Sequence, residues 1–406
     1  MIFGSSLVFL SDALKFNLIG DRDMSSRFKL PALGSKRCYS APSLNAFPGL
    51  NTFDYDKLDK VVEIGRGSFA VVFSAIYNNS ATLGETVVVK KMLDLEDDEK
   101  DLFLKEVKLL NTLKHPNIVT FHGVSISPPA IMLEYMYFDF SLFDRDHKVH
   151  SLKEFVHELS DAEPNTFAHV IPVIASDVAK GLSFLHDNGV VHRDLKPANV
   201  LVSNHHYRDL VDMTLIEKTW TEIPVVCKLT DFGEARSQLI NTRNFKETGG
   251  TRNVSRGTPA FMAPEVLLLE KEQPTAMSLD QLKKVDIWAL GLVYFCVLNP
   301  ALSSPYTNEF RVNGVLPGNH LHHVRGMMKR KQLPSTLPEF EQFQGTTWKN
   351  IFAAFERCVA FDSKKRPTAS EVLQMLASHG KRDSEEEVLL ENKSPKVCPN
   401  YIKLSN

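Results

Sequence analysis

The apolar residues of this chain keep a strand period, interrupted by one helix, as far as Leu133 and a helical period beyond it, which limits the chain to a strand-built part followed by a helix-built part. From Leu58 to Val89 the residues turn β-branched, as in Val61-Val62-Glu63-Ile64 and Ala70-Val71-Val72-Phe73, with Asn78-Asn79 and Gly84 as turn material. A period of two turns successive side chains to opposite faces of a strand. Asp97 to Leu113 instead spaces Leu102, Phe103, Val107, Leu109, Leu110 and Leu113 as a helix face with acidic residues at its start. After the apolar strand Ile131-Met132-Leu133 the spacing is helical over 152–159, 170–186, 282–298, 348–358 and 369–379. The expected fold class is α+β, with a small β-rich lobe and one main helix over about 53–136 and a larger helical lobe over about 137–378.

The flanks lack that periodicity. Residues 1–52, rich in Ser, Pro and Gly, read as a disordered leader, and 379–406, with Glu385-Glu386-Glu387, read as a solvated charged tail. The start, Met1 to Leu10, is apolar but lacks the basic flank of a secretory signal. Between Asn199 and Asp231 lies an insertion, about 204–223, with His205-His206 and the charged run Arg208 to Lys218. It predicts a long surface loop or flap and a place for a partner.

A net charge of -2 gives no general attraction to nucleic acid or anionic membrane. The five cysteines are scattered without a C-x-x-C pair, as expected of reduced thiols in a cytoplasmic protein. Neither His205-His206 nor His320, His322 and His323 has the spacing of a helical zinc site, so they read as solvated loop histidines. No membrane span is expected, because the apolar stretch Ile287 to Leu298 falls short of the roughly 20 residues required and reads as a buried helix.

Several motifs lie on this frame. Ile64-Gly65-Arg66-Gly67-Ser68-Phe69-Ala70-Val71-Val72 spaces glycines as phosphate-binding loops do. A dinucleotide fingerprint would need a helix after the glycines, whereas Val71-Val72-Phe73 continues a strand, so a β-hairpin over phosphates is expected. Lys90 ends the apolar run Val87-Val88-Val89, where an ammonium requires an anionic partner. Then come His192-Arg193-Asp194-Leu195-Lys196-Pro197-Ala198-Asn199, Asp231-Phe232-Gly233 and Gly257-Thr258-Pro259-Ala260-Phe261-Met262-Ala263-Pro264-Glu265. Tyr207-Arg208-Asp209-Leu210 repeats the Arg-Asp-Leu core but has Thr214 where Asn would be needed, and reads as an exposed charged loop.

In this order, over about residues 58 to 378, the motifs resemble those of eukaryotic protein kinases. Their forms look most similar to Ser/Thr kinases of the tyrosine-kinase-like group. The resemblance implies a two-lobed kinase fold using ATP and Mg2+ on protein substrates with Ser/Thr acceptors. It makes Asp194 the base, sets Lys196 near the transferred phosphate, pairs Lys90 with Glu106, and gives the metal to Asn199 and Asp231. ATP would lie under Ile64, Gly65, Arg66, Gly67, Ser68, Phe69 and Ala70. Val72, Val88 and Leu201 would sandwich the base, Leu133 would guard the back of its pocket, and Glu134 and Met136 would supply hinge hydrogen bonds. Tyr137-Phe138-Asp139-Phe140 lacks the customary hinge glycine and leaves the ribose contact unassigned. The resemblance also places Thr258 beside Asp194, pairs Glu265 with Arg366 and sets Asp286 against the catalytic loop. Separately, Arg236, Arg243, Lys246, Arg252 and Arg256 outnumber Glu234 and Glu247 in the segment from Asp231 to Glu265, so a regulatory phosphate on Thr248, Thr251 or Ser255 is expected to pair with Arg193. A dual-specificity or tyrosine kinase and a pseudokinase scaffold are the alternatives; the second is opposed by the intact Lys90, Glu106, Asp194, Asn199 and Asp231.

Overall fold

A computed structural model describes residues 49–66, 70–79, 82–93, 97–160, 168–237, 257–269, 277–302, 304–338 and 348–377. The expected leader through residue 48 and the expected tail from residue 379 lie outside the described residues, as do Gly67, Ser68, Phe69, Thr248, Thr251 and Ser255. The chain divides into two compact units, one comprising residues up to Thr112 with Thr120–Tyr135, the other Leu113–Val119 with Met136 onward.

The first unit is built on β1 (Leu58–Arg66), β2 (Ala70–Asn79), β3 (Thr82–Met92), β4 (Phe121–Ile126) and β5 (Pro129–Glu134). They form one antiparallel sheet in the order β1-β2-β3-β5-β4. Alternation sorts β3: Val87 and Val89 are fully buried with Phe53, Ala75, Ala130 and Met132, which leaves Val88 and Lys90 to the opposite face. Helix α1 (Asp97–Thr112) buries Phe103, Val107, Leu109 and Leu110.

Two expected boundaries move. Asn51 and Thr52, read as leader, belong to the sheet edge: the Val124 amide donates to the Asn51 carbonyl at 2.9 Å, and the Phe53 amide donates to the Val124 carbonyl at 3.1 Å. The buried Phe53 ring holds this segment down. A Cβ on Gly123 would sit 3.3 Å from the Asn51 carbonyl oxygen, so the close join favours glycine. Leu113–Val119 and Met136, read as part of the small lobe, group with the second unit. There the Val119 amide donates to the Leu229 carbonyl at 2.9 Å and the Asn117 side-chain amide to the Cys227 carbonyl at 2.9 Å.

The second unit contains β6 (Phe138–Asp139), β7 (Lys148–Val149), α2 (Leu152–Ser160), α3 (Val170–Asp187), β8 (Val190–Val191), β9 (Val200–Ser203), α4 (His205–Arg208), α5 (Met213–Glu222), β10 (Val226–Leu229) and β11 (Arg236–Ser237). It continues with α6 (Pro264–Leu267), α7 (Leu279–Leu298), α8 (Thr307–Val312), α9 (His320–Lys329), α10 (Lys349–Cys358) and α11 (Ala369–Ala377). Its strands pair as antiparallel ribbons β6–β7, β8–β11 and β9–β10. Helix α7 starts with a capping box between Ser278 and Gln281 and is buried from Val285 through Leu298, the pattern of a helix surrounded by protein. Among the described residues no helix is long and apolar enough to cross a membrane.

The insertion differs from the expected flap. It forms α4 and α5, the latter capped by the Asp212 carboxylate, which accepts from the Thr214 and Leu215 amides. Tyr207, Ile216 and Trp220 are buried, and the Trp220 ring lies 4.7 Å from Phe143 and 4.8 Å from His169 between centroids. Ile216 and Trp220, four residues apart, make an apolar stripe within the run of charges. Within Tyr207-Arg208-Asp209-Leu210 the first two residues end helix α4 and Tyr207 is buried, while Asp209 caps the helix with its side chain exposed. The histidines are also more engaged than solvated loops: His206 Nε2 meets the Ile223 carbonyl at 2.8 Å, and the His320 ring, opening α9, stacks on Phe310 at 3.8 Å.

Candidate active site

In the first unit the site is one face of the sheet. Val72 lies opposite Lys90 in the β2–β3 register and Val88 opposite Leu133 in the β3–β5 register, so these four residues share the face away from Val87 and Val89. Ala70, two residues before Val72, carries the same parity at the edge, while Gly65 pairs with Val72 beside the irregular step that holds Ile64. Lys90 Nζ donates to Glu106 at 2.8 Å and 3.1 Å from its two carboxylate oxygens, with the Glu106 side chain only 7% exposed. Burial of a carboxylate is tolerated where a cation answers it. Lys91 points the other way, its ammonium 5.5 Å from the Tyr55 ring centroid. Arg66 pairs with Glu63 on the surface, and the Glu134 side chain accepts from the Thr120 amide at 2.6 Å.

In the second unit the catalytic-loop motif is shaped by a residue far along the chain. Asp286, fully buried in α7, accepts from the His192 amide at 2.7 Å and the Arg193 amide at 2.8 Å, and meets His186 Nε2 at 3.1 Å. Arg193 is thereby held at φ +70, a conformation uncommon for a residue with a side chain. His192 Nε2 lies 3.0 Å from the Thr230 carbonyl and Nδ1 accepts the Asp194 amide at 3.3 Å, which a neutral ring protonated on Nε2 satisfies at both ends.

The Asp194 carboxylate is consequently fixed. Its Oδ1 accepts from the Thr258 amide at 2.8 Å and hydroxyl at 2.9 Å; its Oδ2 accepts from Lys196 at 2.7 Å and Asn199 at 3.1 Å. Lys196 also donates to the Thr258 hydroxyl at 2.7 Å. Gly257 delivers Thr258 at φ +114, where a Cβ would lie 2.7 Å from the Arg193 carbonyl oxygen. Asn199 directs its amide nitrogen to the Asp194 carbonyl at 2.8 Å as well as to the carboxylate, which turns its Oδ1 away from both. The Asn199 carbonyl accepts the Thr230 amide at 3.0 Å, which sets Asp231 next to it; Asp231 is exposed at φ +63. An amide oxygen and a carboxylate are the hard ligands that magnesium takes.

Leu201 lies on β9 opposite Lys228, and the Met136 carbonyl is 3.1 Å from His150 Nδ1. Glu265 and Arg366 form the expected pair, with guanidinium nitrogens 2.6 Å and 2.8 Å from the two carboxylate oxygens. Sequence reasoning missed His192 as a strut between Asp194 and Thr230, although it stands inside the motif. It also missed Asn204 and Arg208, whose contacts with Asp139 leave no signal at short range. Asp139 itself is not a bare hinge residue. Its carboxylate accepts the Ser141 amide at 2.9 Å and lies 3.2 Å from Arg208 Nε.

A sheet carrying a buried lysine–glutamate pair and a helical unit holding an aspartate bonded to a lysine, a threonine and an asparagine is the arrangement of protein kinase domains. The protein kinase domain, compared as a family, matches residues 58–376, and the chain belongs to that family. Among its relatives, the serine/threonine-protein kinase dst1 of Dictyostelium discoideum is 28% identical over 76% of this chain and 33% of its own length. The serine/threonine-protein kinase 4 homolog B of the same organism is 26% identical over 78% of this chain and 22% of its own length. The protein kinase and PP2C-like domain-containing protein of Arabidopsis thaliana is 28% identical over 78% and 42% respectively. The chain thus spans less than half the length of each of these relatives.

Proposed function

We propose that this chain is an ATP- and magnesium-dependent protein kinase acting on Ser and Thr hydroxyls of proteins. The observation that carries the reading is the Asp194 carboxylate, oriented by Thr258, Lys196 and Asn199. A base fixed in this way accepts the acceptor hydroxyl's proton as its oxygen bonds to the γ-phosphorus and the bond to the β-phosphate bridging oxygen breaks, releasing ADP. Lys196, bonded to both Asp194 and Thr258, is positioned to donate to the transferred group. Lys90, oriented by Glu106, is assigned to the ATP phosphates, and Val72, Val88, Leu133 and Leu201 to the adenine. Asn199 and Asp231 would hold magnesium, which when bound neutralises charge on the phosphate oxygens.

Membership near the tyrosine-kinase-like group of Ser/Thr kinases is supported by Lys196 and by the Gly257-Thr258-Pro259 and Phe261-Met262-Ala263-Pro264-Glu265 forms. A cytoplasmic setting is supported by Cys227, Cys296 and Cys358, which are buried free thiols; burial pushes Cys296 and Cys358 up to about 12. Partners are proposed to be ATP and protein substrates, without nucleic acid. The exposed Val211, Leu215 and Ile223 of the insertion offer apolar surface to a protein partner.

The test is a nucleotide titration with and without magnesium, followed by measurement of ADP formed with a mixed protein substrate. Magnesium-strengthened ATP binding with ADP and phosphoprotein produced together is the expected result. Binding without turnover would favour the pseudokinase scaffold, and phosphotyrosine as the main product would favour the dual-specificity or tyrosine alternative.

A further inference from the structure

The segment Tyr137-Phe138-Asp139, which follows Met136, lacks a glycine and is gripped from the insertion. Asn204, fully buried, closes a reciprocal pair on its backbone: the Asp139 amide donates to Asn204 Oδ1 at 2.9 Å and Asn204 Nδ2 donates to the Asp139 carbonyl at 3.0 Å. One turn on, Arg208 places Nε 3.2 Å from Asp139 Oδ2 and donates from a terminal nitrogen to the Tyr137 hydroxyl. The Tyr137 ring is edge-on to His205 at 4.1 Å, and the Lys148 ammonium lies 4.4 Å from its centroid. His150, 6.3 Å from the same ring, reaches the Met136 carbonyl at 3.1 Å.

The grip is held from below by the remainder of the insertion. Tyr207, on the same short helix, donates its hydroxyl to the Pro224 carbonyl at 2.8 Å, and Trp220 packs against Phe143 and His169. Helix α4 therefore has a fixed footing from which Asn204 and Arg208 act on a backbone that would otherwise depend on its own short ribbon, β6–β7. A buried carboxylate paired with Arg and Lys also resists movement, because separating the charges strands one of them away from water.

We propose that Asn204 and Arg208 are positioning residues for nucleotide binding: they fix the backbone around Met136 and so set the affinity for ATP while leaving the phosphoryl-transfer step alone. The inference rests on the proposed assignment of Met136 to the adenine. Asp139, engaged by Arg208, Lys148 and the Ser141 amide, is a strut of this device and not a ligand of the ribose.

The experiment uses the full chain and compares wild type with Arg208→Ala, Arg208→Lys, Tyr137→Phe and the exposed control Lys218→Ala. Rates are measured against ATP at saturating peptide and against peptide at saturating ATP, with Mg-ADP affinity from a direct titration and thermal midpoints for each variant. For Arg208→Ala the expected result is a rise of about 5- to 20-fold in KM for ATP and in the Mg-ADP dissociation constant, with kcat and peptide KM within about twofold. Arg208→Lys restores part of that loss by keeping a cation beside Asp139, and Tyr137→Phe, which removes only the hydroxyl, shows a smaller rise even if Arg208→Ala does not fold. Lys218→Ala is unchanged. A folded Arg208→Ala or Tyr137→Phe variant whose KM for ATP matches wild type overturns the proposal alone, as does an equal rise in peptide KM. A folded wild-type chain that binds no Mg-ADP overturns the functional reading and this inference with it.

Discussion

Arg193-Asp194-Leu195 and Arg208-Asp209-Leu210 are the same tripeptide in two surroundings, separated by fifteen positions. In the first, the His192 and Arg193 amides are held by Asp286, Arg193 is forced to a left-handed backbone, and the Asp194 side chain is 12% exposed with donors on both oxygens. In the second, the Arg208 amide donates to the Asn204 carbonyl within a short helix, and the Asp209 side chain is 71% exposed. The tripeptide does not make the site. A buried carboxylate from α7, an asparagine five residues on and a threonine delivered by Gly257 make it, and their absence around Asp209 leaves only a surface acid.

That contrast is broken or sharpened first by paired substitutions. Asp194→Asn should lower kcat by about 10² to 10⁴, while Asp209→Asn leaves it within about twofold. Initial rates at saturating ATP decide this, and equal losses from both would erase the distinction. A second test addresses the footing of the repeated tripeptide. Trp220→Ala should cost about 3–5 kcal/mol of stability by emptying the space between Phe143 and His169; a denaturation midpoint equal to wild type would return the insertion to a surface flap.

Third, the neighbouring lysines of β3 point to opposite faces, so Lys90→Met should lower activity by about 10²-fold and Lys91→Met should not. The smallest effect concerns pH. Burial lowers the His169 pKa from its model-peptide value of 6.5 to about 4. The unfolded chain therefore takes up this proton first, so the contribution to stability is present above pH about 6.5 and is lost as pH falls toward about 4. Between pH 7 and pH 5 the loss should be about 2 kcal/mol, and His169→Gln should remove that part of the slope in denaturant titrations.

The legible parts of the molecule were those with a local cause. The β-branched apolar run Val87-Val88-Val89 ended by Lys90 located β3, and strand parity separates Lys90 from Lys91 once the register is known. The helical spacing of 170–186 and 282–298 located α3 and α7 to within a few residues. Asn51 and Thr52 were unreadable because they form a sheet edge through backbone atoms, which carry no sequence. The insertion was misread because charged residues outnumber Tyr207, Ile216 and Trp220, the residues that pack it. The motifs located the candidate site, including Asp286 about a hundred residues from the His192 amide it holds, but not His192 as a strut, because its ring acts through the Thr230 carbonyl and the Asp194 amide, backbone atoms that carry no sequence.

The most direct test of the central claim is the chemical identity of the phosphorylated residue. Full-length wild-type chain and Asp194→Asn are incubated with γ-labelled ATP, magnesium and a mixed protein substrate, and the labelled protein is hydrolysed to its phosphoamino acids. The account predicts phosphoserine and phosphothreonine from wild type and, at equal time, a signal at least about 10²-fold weaker from Asp194→Asn. Label mainly on tyrosine, or no difference between the folded wild-type and Asp194→Asn proteins, would contradict it.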